Sequence, residues 1–423
     1  MLVEFNTTNF RSFRSTQNLS LAKGKGSELQ NNSFEVEGIK GLDLLRSVAI
    51  YGANASGKSN LLKSIRAMKQ IVTATSQRGS KLPLMPFKLD EDSVNQPTEF
   101  EIVFVVDSIR YQYGFSATED KIFEEWLFVY PKGRAQKWFE RLWDPETNQY
   151  QWQFSPSFTG TKQVWQNATR DNSLFLSTAV QLNSHQLKPV FDWFKDTLKF
   201  SSVIGFDPDY SASLCLQNKK EDILKFLHAA DLNINDIRVE TEDFTPSVLP
   251  NDMPEPIREM IIDGMKDKKM INIQTVHIDN KGNPIEFALE EESDGTQKFF
   301  AFAGPWLDVL ANGYVLFVDE LHDNLHPKLV QFLVELFHNK ETNPKNAQLI
   351  FTTHETSILN QAVFRRDQIW FCERNKEQET IVYPLSDFSP KKGKENLEVA
   401  YLSGRYGALP FIRSLLSKEE IHG

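Results

Sequence analysis

The stretch RSVAIYGANASGKSN, residues 46–60, decides how the rest of the chain is read. Ser47 to Tyr51 form a short apolar run that reads as a buried strand. The loop after it, Gly52-Ala-Asn-Ala-Ser-Gly57-Lys58-Ser59, matches G-x-x-x-x-G-K-S in full. Beyond the loop, Leu61, Ile65, Met68 and Val72 recur at spacings of four, three and four, one face of a helix. Strand, loop and helix stand in the order a phosphate site requires. Glycines let backbone N–H groups converge on phosphates, and the helix N-terminus adds positive potential. Lys58 is placed to reach the β and γ phosphates of a nucleotide and Ser59 to ligate Mg2+, while Asn54, Ala55, Ser56 and Asn60 complete the cradle.

Outward from this loop, 423 residues that are 40% hydrophobic and 12% aromatic suffice for two or three compact units. The 47 Lys and Arg against 57 Asp and Glu leave a net charge of −10, which excludes a surface built throughout to attract nucleic acid. A local basic patch remains open, although Lys391, Lys392 and Lys394 read as a solvated loop. Cys215 and Cys372 stand far apart and read as core thiols in a reducing cytosol. The start, MLVEFNTTNFRSF, has no signal-like apolar run, and no window supplies the roughly 18 apolar residues of a membrane span. A cytoplasmic protein without membrane association is the expectation. No repeat or heptad array stands out, which argues against a coiled-coil arm.

Residues 1–23 alternate as a first hairpin, and from Thr98 to about Phe154 the short runs EFEIVFVV, RYQYGFSA and EEWLFVYP suggest an antiparallel meander. From 155 to about 270 the pattern turns helical, with SLFLSTAVQLN, PVFDWFKDTLKF and KKEDILKFLHAADLNI the clearest amphipathic stretches. INIQTVHIDNKGNPIEFALEEES reads as a hairpin turning at Asn280 to Asn283. A helix from Thr296, a strand GYVLFVDE, a helix from Pro327 and a strand QLIFTTHE then alternate, as in a parallel sheet covered by helices. The expected organisation is residues 1–154 and 271–423 as two parts of one nucleotide-binding head, with 155–270 as an inserted helical subdomain.

Three further elements fit a nucleotide site. Asp319 and Glu320 end an apolar strand, where Asp319 is placed to hold Mg2+ opposite Ser59 and Glu320 to polarise a water. His354 ends the next strand, on the edge where α/β sheets bind ligands. Ser293, Gly295 and Gln297, within EEESDGTQKF, precede Asp319 at a strand-to-helix junction suited to an anion.

The order of phosphate loop, Ser-x-Gly-x-Gln element, Asp-Glu strand and histidine resembles the ABC-type ATPase heads of the RecF and SMC class. Asn9-Phe10-Arg11-Ser12-Phe13 looks like the N-F-R-S-F start of RecF-like heads, which places Arg11 near the nucleotide. DELHDNLHPKL and YLSGRYGALPFI resemble the prokaryotic AAA-15/AAA-21 group, ATPase subunits of antiphage and abortive-infection systems such as the RloA-like, PtuA-like (Septu) and AriA-like (PARIS) proteins. The resemblance implies ATP and Mg2+ as cofactors and a homo-oligomer in which two protomers sandwich ATP. Ser293, Gly295 and Gln297 would then meet the γ-phosphate on the partner's Lys58, with Asn324 at the seam. No clean glutamine loop is present, and Gln96 stays outside the site. After Leu359 no Asp-x-Asp pair appears, so the effector, a TOPRIM or HNH nuclease, is expected on a separate polypeptide.

These readings imply a slow ATPase acting as sensor and scaffold in phage defence, triggered by a nucleic acid or a phage protein. The alternatives are a RecF-like clamp on DNA ends or gaps, and a binding module in which nucleotide is structural.

Overall fold

The computed structural model describes residues 1–74, 77, 79–201, 205–246, 253–265, 269–391, 393 and 395–410. Lys392 and Lys394 of the basic run and the end of YLSGRYGALPFI, Phe411 and Ile412, lie outside them. The chain divides into two compact units. The first comprises residues 1–201, 310–322 and 333–423, the second residues 202–309 and 323–332.

The first unit is organised around a six-stranded sheet. Its order is Leu198–Phe200, Val315–Val318, Gln348–Thr352, Ser47–Tyr51, Ile369–Arg374 and Thr380–Pro384, parallel except for the last strand. All five residues of Ser47–Tyr51 are buried, as a strand flanked on both edges and covered on both faces must be. One face, with Val48 and Ile50, shares a core with Leu61, Ile65, Met68 and Val72 of the helix Lys58–Thr73. That core continues into a seven-stranded antiparallel sheet. The predicted meander supplies five of its strands, Thr98–Val106 through Gln149–Phe154, and the first hairpin, Leu2–Thr8 with Gln17–Ser20, extends it. On the other face Tyr51 packs against Phe371 and Tyr401, and Phe351 against Phe364. Alternation along each strand sends successive side chains to these two layers.

The segment expected as a helical insertion, 155–270, is shared between the units. Phe175, Trp193 and Phe194, on helical turns, join the core of the first unit, where Trp193 stacks on Phe104 with centroids 4.0 Å apart. Leu198–Phe200, read as the end of a helix, is instead the edge strand beside Val315–Phe317. Three apolar-flanked residues carry no usable period, and pairing with a strand more than a hundred residues away settles their state.

Within the second unit, Lys220–Ala229 is the expected helix, and Lys269–Ile278 with Pro284–Ala288 the expected hairpin. Asp236–Asp243, inside the stretch expected to be mostly helical but outside its clearest helical runs, is a third strand paired with Lys269–Val276. Ile237, Val239 and Thr241 repeat at a period of two, the signal that marks it. The helix expected from Thr296 begins at Asp294 and runs to Asn312. Among the described residues no helix is long and apolar enough to cross a membrane.

Candidate functional site

The parallel strands end at one edge, and three of those ends carry the chemistry. Tyr51 leads into Gly52, Val318 into Asp319 and Glu320, and Thr352 into Thr353 and His354. Residues 54–60, Glu320 and His354 line one cavity of about 410 Å³. Arg374, which ends a fourth parallel strand, also lines it and was not foreseen. The rule that singled out His354, a polar side chain at a parallel-strand end, applies equally to Arg374.

Two glycines are steric requirements of the loop. At Gly52, with φ 153°, a Cβ would come 2.3 Å from the Cys372 carbonyl oxygen. At Gly57, with φ 109°, it would meet Thr380 Oγ1 at 2.2 Å. Ala55 also adopts a left-handed φ, 60°. The Thr380 hydroxyl donates to the Ser56 carbonyl at 2.8 Å and lies 2.9 Å from Ser12 Oγ, which accepts from Asn60 Nδ2 at 2.9 Å. The N-F-R-S-F turn is thereby fastened to the start of the loop helix. Arg11, with φ 54°, holds its guanidinium 5.5 Å from the centre of the Phe10 ring and is not among the residues lining the cavity.

Lys58 Nζ donates to the carbonyls of Gly52 and Ala53 at 3.0 and 3.1 Å and lies 3.0 Å from His354 Nε2. An ammonium has no acceptor, so His354 Nε2 must be the acceptor in that contact. Burial, then the charge of Lys58, then His322 pull the His354 pKa down to about 4, so the ring is neutral near pH 7. Burial also lowers the Lys58 pKa, while Cys372, Glu320 and Asp319 act in the opposite direction.

The acidic corner is held by Thr352. Its hydroxyl donates to Asp319 Oδ1 at 2.6 Å and accepts from the Glu320 amide at 2.8 Å. Glu320 adopts φ 52°, a left-handed conformation rare for glutamate, which marks a position held by its surroundings. Nothing local in the sequence marks Thr352 as the clamp, since it lies 33 residues beyond Asp319.

The residues present fit a bound polyphosphate and its metal. Ser56 Oγ is buried with no hydrogen-bond partner, and Lys58 spends its donors on loop carbonyls that phosphate oxygens can replace. Among the described residues no three His, Cys, Asp or Glu side chains gather as a self-sufficient metal cage. Mg2+ takes one or two protein oxygens and completes its shell with phosphate and water, and the Ser59 hydroxyl and the Asp319 carboxylate are oxygens of the kind it takes.

The Ser293 element lies in the second unit. Ser293 Oγ accepts from the Thr296 amide at 3.2 Å and so caps the helix Asp294–Asn312. Gln297 Nε2 donates to the carbonyls of Glu290 and Glu292 at 3.3 and 2.8 Å. A Cβ on Gly295 would sit 3.3 Å from the Asn324 carbonyl oxygen, and Asn324 itself has φ 53°.

A parallel sheet with the phosphate loop, the acidic strand and the histidine on one edge, backed by an antiparallel sheet, is the ABC-type P-loop ATPase fold. The chain belongs to the family described as AAA domain, putative AbiEii toxin, Type IV TA system, whose model matches residues 47–360. No curated protein matches it. Among solved structures it is similar to an SMC head domain from Thermotoga maritima, at 13% identity, TM-score 0.39, and coverage of 90% of this chain and 98% of that one. It is similar also to an Smc head with an extended coiled coil bound to the C-terminal domain of ScpA, derived from Pyrococcus furiosus, at 12% identity, TM-score 0.44, and coverage of 90% and 96%. A third similar structure is the recombination mediator RecF with ATP, at 16% identity, TM-score 0.34, and coverage of 84% and 94%.

Proposed function

We propose that the chain is a slow, cytoplasmic ATPase whose ATP-bound state assembles protomers and controls a separate effector in antiphage defence. The observation that carries the nucleotide part is the convergence of Lys58, Ser59, Glu320 and His354 on one cavity at a parallel-sheet edge. ATP would lie with its phosphates against the loop amides and Lys58, and Ser59 with Asp319 would hold Mg2+, which when bound neutralises charge on the phosphate oxygens. Lys58 exchanges its bonds to Gly52, Ala53 and His354 for phosphate oxygens. Glu320, fixed by Thr352, would orient a water and take its proton as that water's oxygen bonds to the γ-phosphorus and the bond from the β–γ bridging oxygen breaks, so that ADP leaves and inorganic phosphate is formed. Once Lys58 has turned to the phosphates, His354, neutral and half-buried, would carry its proton on Nε2 and donate to the γ-phosphate, and Arg374 adds a second positive charge at the cavity wall.

Ser293, Gly295 and Gln297 serve the partner's ATP. Because Gln297 is tied back to Glu290 and Glu292, engaging that ATP requires these bonds to open, which suits slow turnover. A family described as a putative toxin of a toxin–antitoxin system supports a chain that works with a second polypeptide. A TOPRIM or HNH nuclease is the effector we favour, and a phage protein or a nucleic acid the trigger.

The test is turnover and oligomeric state of the purified chain with ATP. Glu320→Gln is expected to lower turnover about 100-fold or more while an ATP-bound oligomer accumulates. Turnover at the wild-type rate would remove Glu320 from its role. Ser293→Arg is expected to keep ATP binding and lose ATP-driven association, and a variant that still associates returns this element to a plain helix cap. Salt-dependent DNA affinity by the lone chain would instead favour the repair clamp.

A further inference from the structure

A second polar cavity of about 510 Å³ lies in the first unit, lined by residues that the ATPase reading leaves unused. Arg46, on its wall, immediately precedes the strand Ser47–Tyr51, whose far end leads into the phosphate loop. At about 3.3 Å per residue, the two sites are some 17 Å apart along that strand.

Arg46 is only 2% exposed, yet it is poorly compensated. Nη1 donates to the Asn343 carbonyl at 3.1 Å, Nε is buried with no hydrogen-bond partner, and the guanidinium lies 5.3 Å from the centre of the Phe34 ring. Burial lowers its pKa, and no acid among the described residues pairs with it. A buried guanidinium without a counter-ion is costly, and its fork of donors matches an oxyanion. The loop that faces it is rigid, since the Asn343 side chain bonds Phe337 and Ala347 at 2.7–2.9 Å.

The rest of the lining defines what would enter. Lys23 and Asp43 pair with each other at 2.7 Å, which leaves Arg46 and Lys340 as positive groups against Glu35. Gln30 and Asn346 offer amides, Glu35 an acceptor for hydroxyl or amine donors, and Phe34 an apolar wall. The volume exceeds the 410 Å³ at the phosphate loop. We propose that this cavity binds a phosphate-bearing small molecule of nucleotide size, its phosphate on Arg46 with Lys340 at the rim and its remainder against Phe34, Glu35 and Asn346. The site is separate from the ATPase site and does not depend on the reading given to that site.

The experiment uses the full chain carrying Lys58→Ala, which disables the phosphate loop, titrated with AMP and with inorganic phosphate by calorimetry at low salt. One AMP per chain is expected, with phosphate binding more weakly. Arg46→Met should weaken AMP about 30-fold or more. Lys340→Glu, at an exposed position, should weaken it about three- to tenfold with an unchanged Tm. Failure of both probes to bind up to about 5 mM would overturn the proposal. So would phosphate binding without AMP binding, or AMP affinity indifferent to both substitutions. If Arg46→Met does not fold, the Lys340→Glu isotherm decides alone.

Discussion

At the N-terminal end of the strand Ser47–Tyr51, His338 is enclosed. Its Nε2 lies 2.8 Å from Ser47 Oγ and 3.3 Å from Gln368 Nε2, and burial with the charge of Arg46 pulls its pKa down to about 3. At the C-terminal end His354 opens on the loop cavity, 3.0 Å from Lys58 Nζ, with its pKa pulled down to about 4 by burial, Lys58 and His322. Both rings are neutral near pH 7, and both accept at Nε2. What differs is the partner. Gln368 Nε2 donates to Ser47 Oγ and to the Ser47 carbonyl, so His338, at the end of the helix Pro327–His338, belongs to a closed, satisfied network that ties that helix end to the starts of two strands. Lys58 has a better partner in a phosphate, so the network around His354 is one that a ligand can break. A shifted pKa at a sheet edge therefore marks function only when the groups causing the shift are free to exchange partners.

The largest effect expected from breaking this contrast is at His338. Between pH 6.5 and about 3 the unfolded chain holds a proton that the folded imidazole refuses, so stability is present above that window and lost as pH falls through it. The loss should reach roughly 3–5 kcal/mol at the acid end. Denaturant unfolding across this range should show the slope, and His338→Gln should flatten it. A variant with an unchanged acid slope would place the acid lability elsewhere.

Next in size is Thr352→Val, which removes the hydroxyl between Asp319 and Glu320 while keeping the shape. Turnover should fall about 10- to 50-fold with KM little changed, and Thr352→Ser should recover most of it. Wild-type turnover in the valine variant would mean that the bond from the Leu321 amide to the Thr352 carbonyl, at 3.1 Å, suffices to hold the corner.

The smallest effect sharpens the contrast directly. Lys58→Met removes one named cause of the His354 shift, and the imidazole titration read by NMR should rise by less than about one unit. The His338 resonance should stay where it is. Movement of both rings would mean that the two networks are coupled through the sheet.

Much of the loop edge was legible as local pattern. The strand, loop and helix at residues 46–60 announce themselves locally, because backbone geometry around a phosphate demands those glycines and that lysine in sequence order. Asp319, Glu320 and His354 were found because an apolar run followed by a polar residue is what a buried parallel strand and its exposed end look like. Arg374 obeys the same rule and was overlooked. Ser12, Thr352 and Thr380 had no such signal, since a hydroxyl is chosen by the atom opposite it, and those atoms lie between 32 and 368 residues away. Leu198–Phe200 lacks a local signal for the same reason, as its strand partner is remote, whereas Asp236–Asp243 carries a period of two inside a stretch whose surrounding pattern is helical.

The sequence by itself determined the phosphate loop, the polarity of the parallel sheet and the acidic and histidine strand ends, all of which depend on patterns within a few residues of one another. Only the tertiary structure decided which hydroxyl clamps the acidic corner, that Lys58 rests on His354, and that Arg46 lies buried, with no counter-ion among the described residues, beside a second cavity. Those are matters of which side chain faces which across the core, and burial raises their energetic weight without leaving a trace in local composition.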